Sequence, residues 1–109
     1  MMVNLKLSDL PPKEVARRLW REWSKPEWEP LTRLSFEIYA IALADRSRFP
    51  GFLDAAMNEW FTALRGCTKT QATLLIAGFR GFLLDLLATH DRARVDSAVE
   101  RWLSMVYDG

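Results

Sequence analysis

The stretch from Thr70 to Thr89, TQATLLIAGFRGFLLDLLAT, decides how this chain folds. It has the length of a helix and is apolar on almost every side. An amphipathic surface helix carries one apolar stripe of about 100° or slightly more. Laid out at about 100° per residue, Leu75, Phe79, Phe82, Leu83, Leu86 and Leu87 fill one broad side. Leu74, Ala77, Gly78, Gly81 and Leu84 occupy much of the other, interrupted by Arg80 and Asp85. Such a helix needs cover on two sides. In a chain of 109 residues and 12.6 kDa, a second subunit is the natural source of the extra cover.

On either side of this block the chain reads as further helices. Cys67 to Lys69 is a short link into it, His90 sits at the break after it, and Asp91 is a fitting N-cap for a last helix. In that last helix Val95, Val99, Trp102, Leu103 and Val106 form the apolar stripe, with Arg94, Ser97, Arg101 and Ser104 turned outward. Upstream, Leu53, Ala56, Met57, Trp60 and Leu64 mark a helix that follows the Phe49-Pro50-Gly51 turn and stops at Gly66. The helix before it begins near Glu29-Pro30. Leu31, Leu34, Ile38, Ile41 and Ala42 make one stripe there, and Phe36, Tyr39 and Leu43 a second, so burial on more than one side is expected. The first helix starts at Ser8 or Asp9 with the Pro11-Pro12 pair and is stopped by Pro26. Residues 1–10 form a lead segment and residues 11–109 one helical domain. No period-two strand or hairpin signal interrupts this pattern.

Composition agrees with one ordinary globular domain. Half of the residues are hydrophobic, 27% are charged and the net charge is +1. That balance argues against a global field for nucleic acid or an anionic membrane surface. Charges at Arg80 and Asp85 interrupt the apolar runs, so none is expected to reach the roughly 20 residues of a membrane span. One cysteine, Cys67, excludes an internal disulfide and fits a reducing, cytoplasmic compartment.

The residues give little support to catalysis. His90 is the sole histidine and Cys67 the sole cysteine, at opposite ends of one long helix. A straight helix of that length holds them roughly 30 Å apart, too far for a nucleophilic pair. No structural zinc set, E-x-x-H di-iron spacing or glycine-rich phosphate loop is present, so no metal or cofactor is expected. The basic set Lys13, Arg17, Arg18 and Arg21 has two readings, a phosphate-contacting face or a solvated one. No helix-turn-helix pattern accompanies it.

Five tryptophans are many for this length. Trp20, Trp23 and Trp28, together with Phe36, Tyr39, Met57, Trp60 and Phe61, have two readings: the wall of an apolar cavity, or a packed aromatic core, which composition alone favours. Glu37, Tyr39, Asn58 and Arg80 would supply sparse polar groups to a cavity. Glycines 78 and 81 each cost a helix up to about 1 kcal/mol relative to alanine, so a packing reason is expected. They admit either a close neighbouring helix or a ligand.

Two segments carry a family resemblance. Residues 31–53, LTRLSFEIYAIALADRSRFPGFL, resemble the core ligand-domain helix and following loop of TetR-family transcriptional regulators. Residues 72–89, ATLLIAGFRGFLLDLLAT, followed by DRARVDSAVE at 91–100, resemble the penultimate and last helices of that family. The pattern Arg80-Gly81…Leu84-Asp85-Leu86 and the short turn carry the second match. His90 stands where glycine is common, a departure that a left-handed helix end tolerates. The resemblance covers about residues 12 to 107. It implies an all-α, orthogonally packed bundle of about five helices that forms a homodimer through a four-helix interface.

The resemblance also implies an apolar or aromatic effector held between the helices bearing Trp20, Phe36, Tyr39, Trp60 and Phe79. Trp23, Met57, Phe61 and Arg80 complete the pocket candidates. Leu74, Ala77, Gly78, Gly81, Leu84, Asp85, Val95, Val99, Trp102 and Val106 are the interface candidates. DNA would be bound only through an N-terminal helix-turn-helix domain that these residues do not contain, and no membrane partner is expected. The function expected is that of a regulator's sensing and dimerising half. A second reading remains, a helical interaction module that pairs with another helical partner.

Overall fold

The computed structural model describes residues 10–63 and 67–108, apart from the side chains of Ala56, Trp60, Phe61 and Ala63. The protein is an all-α bundle of five helices: α1 (Pro12–Trp23), α2 (Glu29–Ala44), α3 (Phe52–Ala63), α4 (Lys69–Thr89) and α5 (Arg92–Tyr107). A 3₁₀ turn, Pro26–Trp28, joins α1 to α2. No strand occurs among the described residues.

Local chemistry explains the helix ends. Pro12 opens α1 at a position where its missing N–H is no loss, and no side chain caps it. Ser8 and Asp9, the expected start, lie outside the described residues. The Ser24 N–H donates to the Trp20 carbonyl at 3.0 Å, and Pro26 then prevents the helix from resuming. Thr68 and Gln71 close a reciprocal capping box at the start of α4. The Thr68 hydroxyl accepts from the Gln71 N–H at 3.1 Å, and the Gln71 side chain accepts from the Thr68 N–H at 3.2 Å. This box starts α4 at Lys69 and was not anticipated. His90 ends the helix in the left-handed region, at φ 55°, its N–H bonded to the Leu86 carbonyl at 2.8 Å. Asp91 caps α5, accepting from the Arg94 N–H at 3.3 Å.

Helix α4 is the hub. Ala72, Leu75, Ile76, Phe79 and Leu83 are buried in a core shared with Ala16, Leu19, Trp20 and Trp23 of α1 and Val95, Val99 and Leu103 of α5. Phe79 has no exposed surface. It stacks on Trp20 with centroids 6.0 Å apart and takes edge contacts from Trp23 at 6.3 Å and Trp102 at 5.8 Å. Helix α5 lies along one flank of α4, where Trp102 covers Gly78. Helices α2 and α3 contact the opposite flank.

The basic face of α1 fastens it to α5 instead of facing only solvent. Arg17 donates to both carboxylate oxygens of Glu100 at 2.6 to 3.0 Å, and Lys13 reaches Asp108 at 2.5 Å and Ser104 at 3.1 Å. Further along, Arg92 donates to the Ser24 hydroxyl at 2.8 Å, and the Trp20 indole N–H donates to Asp96 at 2.9 Å. Long basic side chains thus serve as straps across the α1–α5 seam.

Two expectations are corrected. Helix α2 is not buried on more than one side: Leu31, Leu34, Ile41 and Leu43 are exposed and only Ala42 is fully enclosed. The reason is geometric, since α2 meets α3, α4 and the 3₁₀ turn along one edge and the remaining stripe has no neighbour among the described residues. The apolar length of α4 was also underestimated. At 21 residues it is long and apolar enough, by length and composition alone, to cross a bilayer, a test that the core helix of a soluble protein also passes.

The two helical glycines behave oppositely. A Cβ at Gly78 would come closer than 3.0 Å to atoms in the six-membered ring of Trp102, which Phe79 and Phe82 also contact. Gly81 has nothing within 4 Å of that position. Gly78→Ala therefore lowers stability by about 1–3 kcal/mol through overpacking. Gly81→Ala raises it by up to about 1 kcal/mol through helix propensity. Urea denaturation of the two variants beside the parent chain reads both signs.

Candidate functional site

The sequence-predicted pocket residues divide into two groups that do not meet as one cavity. Trp20, Trp23 and Phe79 are buried core residues, with Trp20 stacked on Phe79 and Trp23 edge-on to it, so the packed-core reading holds for them. Phe36 packs against that core from α2. Trp60 and Phe61 lie in α3, outside the side chains described. Glu37 and Asn58 are exposed.

Tyr39, Met57 and Arg80 do come together, one from each of α2, α3 and α4. Arg80 donates to the Tyr39 hydroxyl at 3.1 Å and points a second N–H at the Met57 sulfur at 3.3 Å. Its guanidinium also lies over the Tyr39 ring, 5.2 Å from the centroid, a cation–π arrangement. Phe52 meets Tyr39 edge-on at 5.8 Å, and Phe49 stands 6.4 Å from Phe52. Sequence reasoning missed Phe49 and Phe52. The signal was an aromatic residue on each side of the Pro50-Gly51 turn, which folds the pair back onto α2.

A separate cleft of about 170 Å³ opens where the end of α1, the 3₁₀ turn, the start of α2 and the α4–α5 junction meet. Trp23, Leu83, Leu86 and Leu87 supply apolar wall, Lys25, Glu29 and Arg92 supply charge, and the His90 imidazole lies beside them. His90 and Glu29 lie 2.9 Å apart across it. The His90 hydrogen bond, with a smaller contribution from Arg33, holds the Glu29 carboxyl below its ordinary range.

The interface candidates divide as well. Val95 and Val99 are corrected: each is 1% exposed and belongs to the chain's own core, so neither is available to a partner. Gly78 is covered by Trp102, and Trp102 itself packs on Phe79 and Phe82. Val106 is half-buried. Asp85 is engaged within the chain, accepting from Arg94 at 2.6 and 3.1 Å.

Leu74, Ala77, Gly81 and Leu84 remain outward, joined by Ala88. Leu74 is 46% exposed and Leu84 55%. Their spacing alternates three and four residues, the pattern that keeps one seam of a helix facing a partner helix. On the neighbouring helix Ala98 and Met105 are exposed, Met105 at 63%. The Asp85–Arg94 pair stands beside this apolar strip as a polar flank.

Among the described residues no group of three or more His, Cys, Asp or Glu side chains is placed to hold a metal ion. Cys67 is half-buried, with its sulfur 4.0 Å from the Tyr107 hydroxyl. Burial, chiefly, pushes that phenol well above its usual range. No family model, curated protein or solved structure matches the chain.

Arg94 draws the Asp85 carboxyl below its ordinary value of 3.8 by hydrogen bonding, with Thr89 adding a smaller bond. A carboxyl depressed by folding stabilises the native state above its unfolded value, and that contribution is lost as pH falls through the lowered one. Thermal stability therefore declines as the pH drops past about 3.8. Asp85→Asn shows a lower melting temperature at pH 7 and a shallower acid decline, measured by circular dichroism melts between pH 7 and pH 2. Parallel acid limbs in the two proteins would show that the pair contributes nothing.

Proposed function

We propose that this chain is the effector-sensing and dimerising domain of a TetR-like transcriptional regulator. The observation that carries the reading is the outward strip Leu74, Ala77, Gly81, Leu84 on the longest helix of the bundle. Among the described residues, α1, α5 and the α2–α3 pair pack on that helix, and this apolar strip stays exposed. Contiguous exposed apolar surface on a folded domain marks an interaction site. Glycine and alanine at the centre of the strip let a partner backbone approach closely, with leucines above and below as knobs. The order of helices adds support: a long penultimate helix and a last helix, joined by a tight turn at His90, pack against each other at the end of the chain.

The partner best suited to this face is a second copy. Two helices of each subunit, α4 and α5, would form a four-helix interface, and stable interfaces bury on the order of 1,200–2,000 Å². A helix of 21 residues is roughly 31 Å long, enough for such a contact. Helices α2, α3 and α4 would hold the effector. By favouring one spacing of the two subunits it would shift their equilibrium, by no more than its differential affinity for the two states. In a full regulator that spacing decides whether two DNA-binding heads match major grooves about 34 Å apart.

A charge on the strip tests the interface. In size-exclusion chromatography with light scattering, the unmodified chain runs as a dimer. Leu84→Glu runs as a monomer at the same concentration with its helical spectrum intact. Leu34→Glu, at an equally exposed leucine of α2, leaves the dimer in place. Dimerisation lost in Leu34→Glu and kept in Leu84→Glu would move the interface to α2 and overturn the reading. A parent chain that is monomeric alone would point to a different helical partner.

A further inference from the structure

Of the arginines that enter no ion pair among the described residues, Arg21, Arg46, Arg48 and Arg101 are exposed and Arg80 is half-buried. Arg17, Arg33, Arg92 and Arg94 each have a carboxylate within 3.3 Å. Arg80, half-buried in the middle of the most apolar helix, meets instead a phenol, a thioether and an aromatic face. None of the ion pairs among the described residues includes it. A partly desolvated cation is costly without an anion, and a thioether is a weak acceptor.

The hydrogen-bond directions point the same way. A guanidinium has five N–H donors and no acceptor. Tyr39 accepts from Arg80 through its oxygen, which leaves the phenol proton free to donate. The remaining Arg80 donors and the Tyr39 O–H belong to one cluster of side chains, and each is satisfied only by an acceptor. The surroundings are apolar and aromatic: Met57, Phe52 and Phe49 are half-buried. A hydrated inorganic ion would gain little from those neighbours. An organic anion with an apolar body would gain from both parts.

We propose that the α2–α3–α4 junction at Arg80 binds an amphipathic carboxylate, its carboxylate on Arg80 and Tyr39 and its apolar body on Phe49, Phe52 and Met57. The proposal deepens the sensor reading above by assigning the effector a charge. It also accounts for an arginine in the middle of a helix that is otherwise apolar along its outer and inner faces. The planar fork of arginine matches a carboxylate in two parallel hydrogen bonds, which lysine cannot reproduce.

The test uses the full chain and named probes: 1-naphthoate, 4-phenylbutyrate and decanoate, each beside its uncharged primary amide. Binding is followed by titration in two-dimensional NMR, reading the Arg80 Nε–Hε resonance. At least one carboxylate saturates that shift, and its amide binds roughly tenfold or more weakly, as expected for losing a charged hydrogen bond. Arg80→Met weakens the carboxylate by a similar factor and leaves the amide unchanged. Arg80→Lys, with the charge kept and the fork lost, falls between. Acid and amide binding alike, carboxylate affinity unchanged in Arg80→Met, or no binding by any of the three acids would each overturn the proposal. Oligomeric state separates this failure from failure of the regulator reading. A dimer that ignores the acids refutes the anion site alone, and a monomer that binds them refutes the dimeric sensor alone.

Discussion

Everything in this bundle depends on how Phe79 is enclosed. Its ring lies at the centre of α4 and meets Trp20 and Trp23 from α1 and Trp102 from α5. Aromatic side chains bury large areas and prefer the offset and edge geometries found here. The arrangement works only because position 78 has no side chain, so that the Trp102 indole can lie against the α4 backbone. Once Trp102 is seated, α5 has a fixed distance and rotation against α4. Val95, Val99 and Leu103 then turn inward, and the Arg17–Glu100 and Trp20–Asp96 contacts fall into register with α1.

The same packing determines what stays outside. With α1, α5 and the α2–α3 pair packed on α4, one strip stays exposed among the described residues, and it carries leucine, alanine and glycine in place of charge. The chain has charged residues in ample supply and places them along the α1–α5 seam and beside Asp85. Exposed apolar surface of this kind favours association. Arg80 and Gly81 are consecutive residues: one faces the α2–α3 junction and the next faces outward.

Much of the fold was legible in the sequence because helix periodicity and its punctuation are local. The Pro12 start, the Pro26 stop and the Asp91 cap correspond to observed helix ends. The capping box at Thr68 and Gln71 is legible too, as a T-x-x-Q signature ahead of the apolar run. Assignment of faces was only partly readable. Periodicity says that Val95, Val99, Trp102 and Val106 share a stripe, but not whether the chain itself or a partner covers it. That depends on how deeply α5 sinks toward α4, which Gly78 decides. Similarly, α2 has enough apolar residues for two buried sides, and only the placement of its neighbours shows that one side stays open. Of the pocket candidates, Tyr39, Met57 and Arg80 come together, whereas Trp20 and Trp23 serve the core.

The central claim is that the exposed strip of α4 is covered by a second copy of the chain. Backbone amide NMR spectra recorded over a dilution series test it residue by residue. The account predicts concentration-dependent shifts at Leu74, Ala77, Gly81 and Leu84 and at the adjoining Ala98 and Met105, with Leu31, Leu34 and Leu43 of α2 unmoved. Spectra that stay constant on dilution with the relaxation of a 12.6 kDa monomer, or shifts confined to α2, would contradict it.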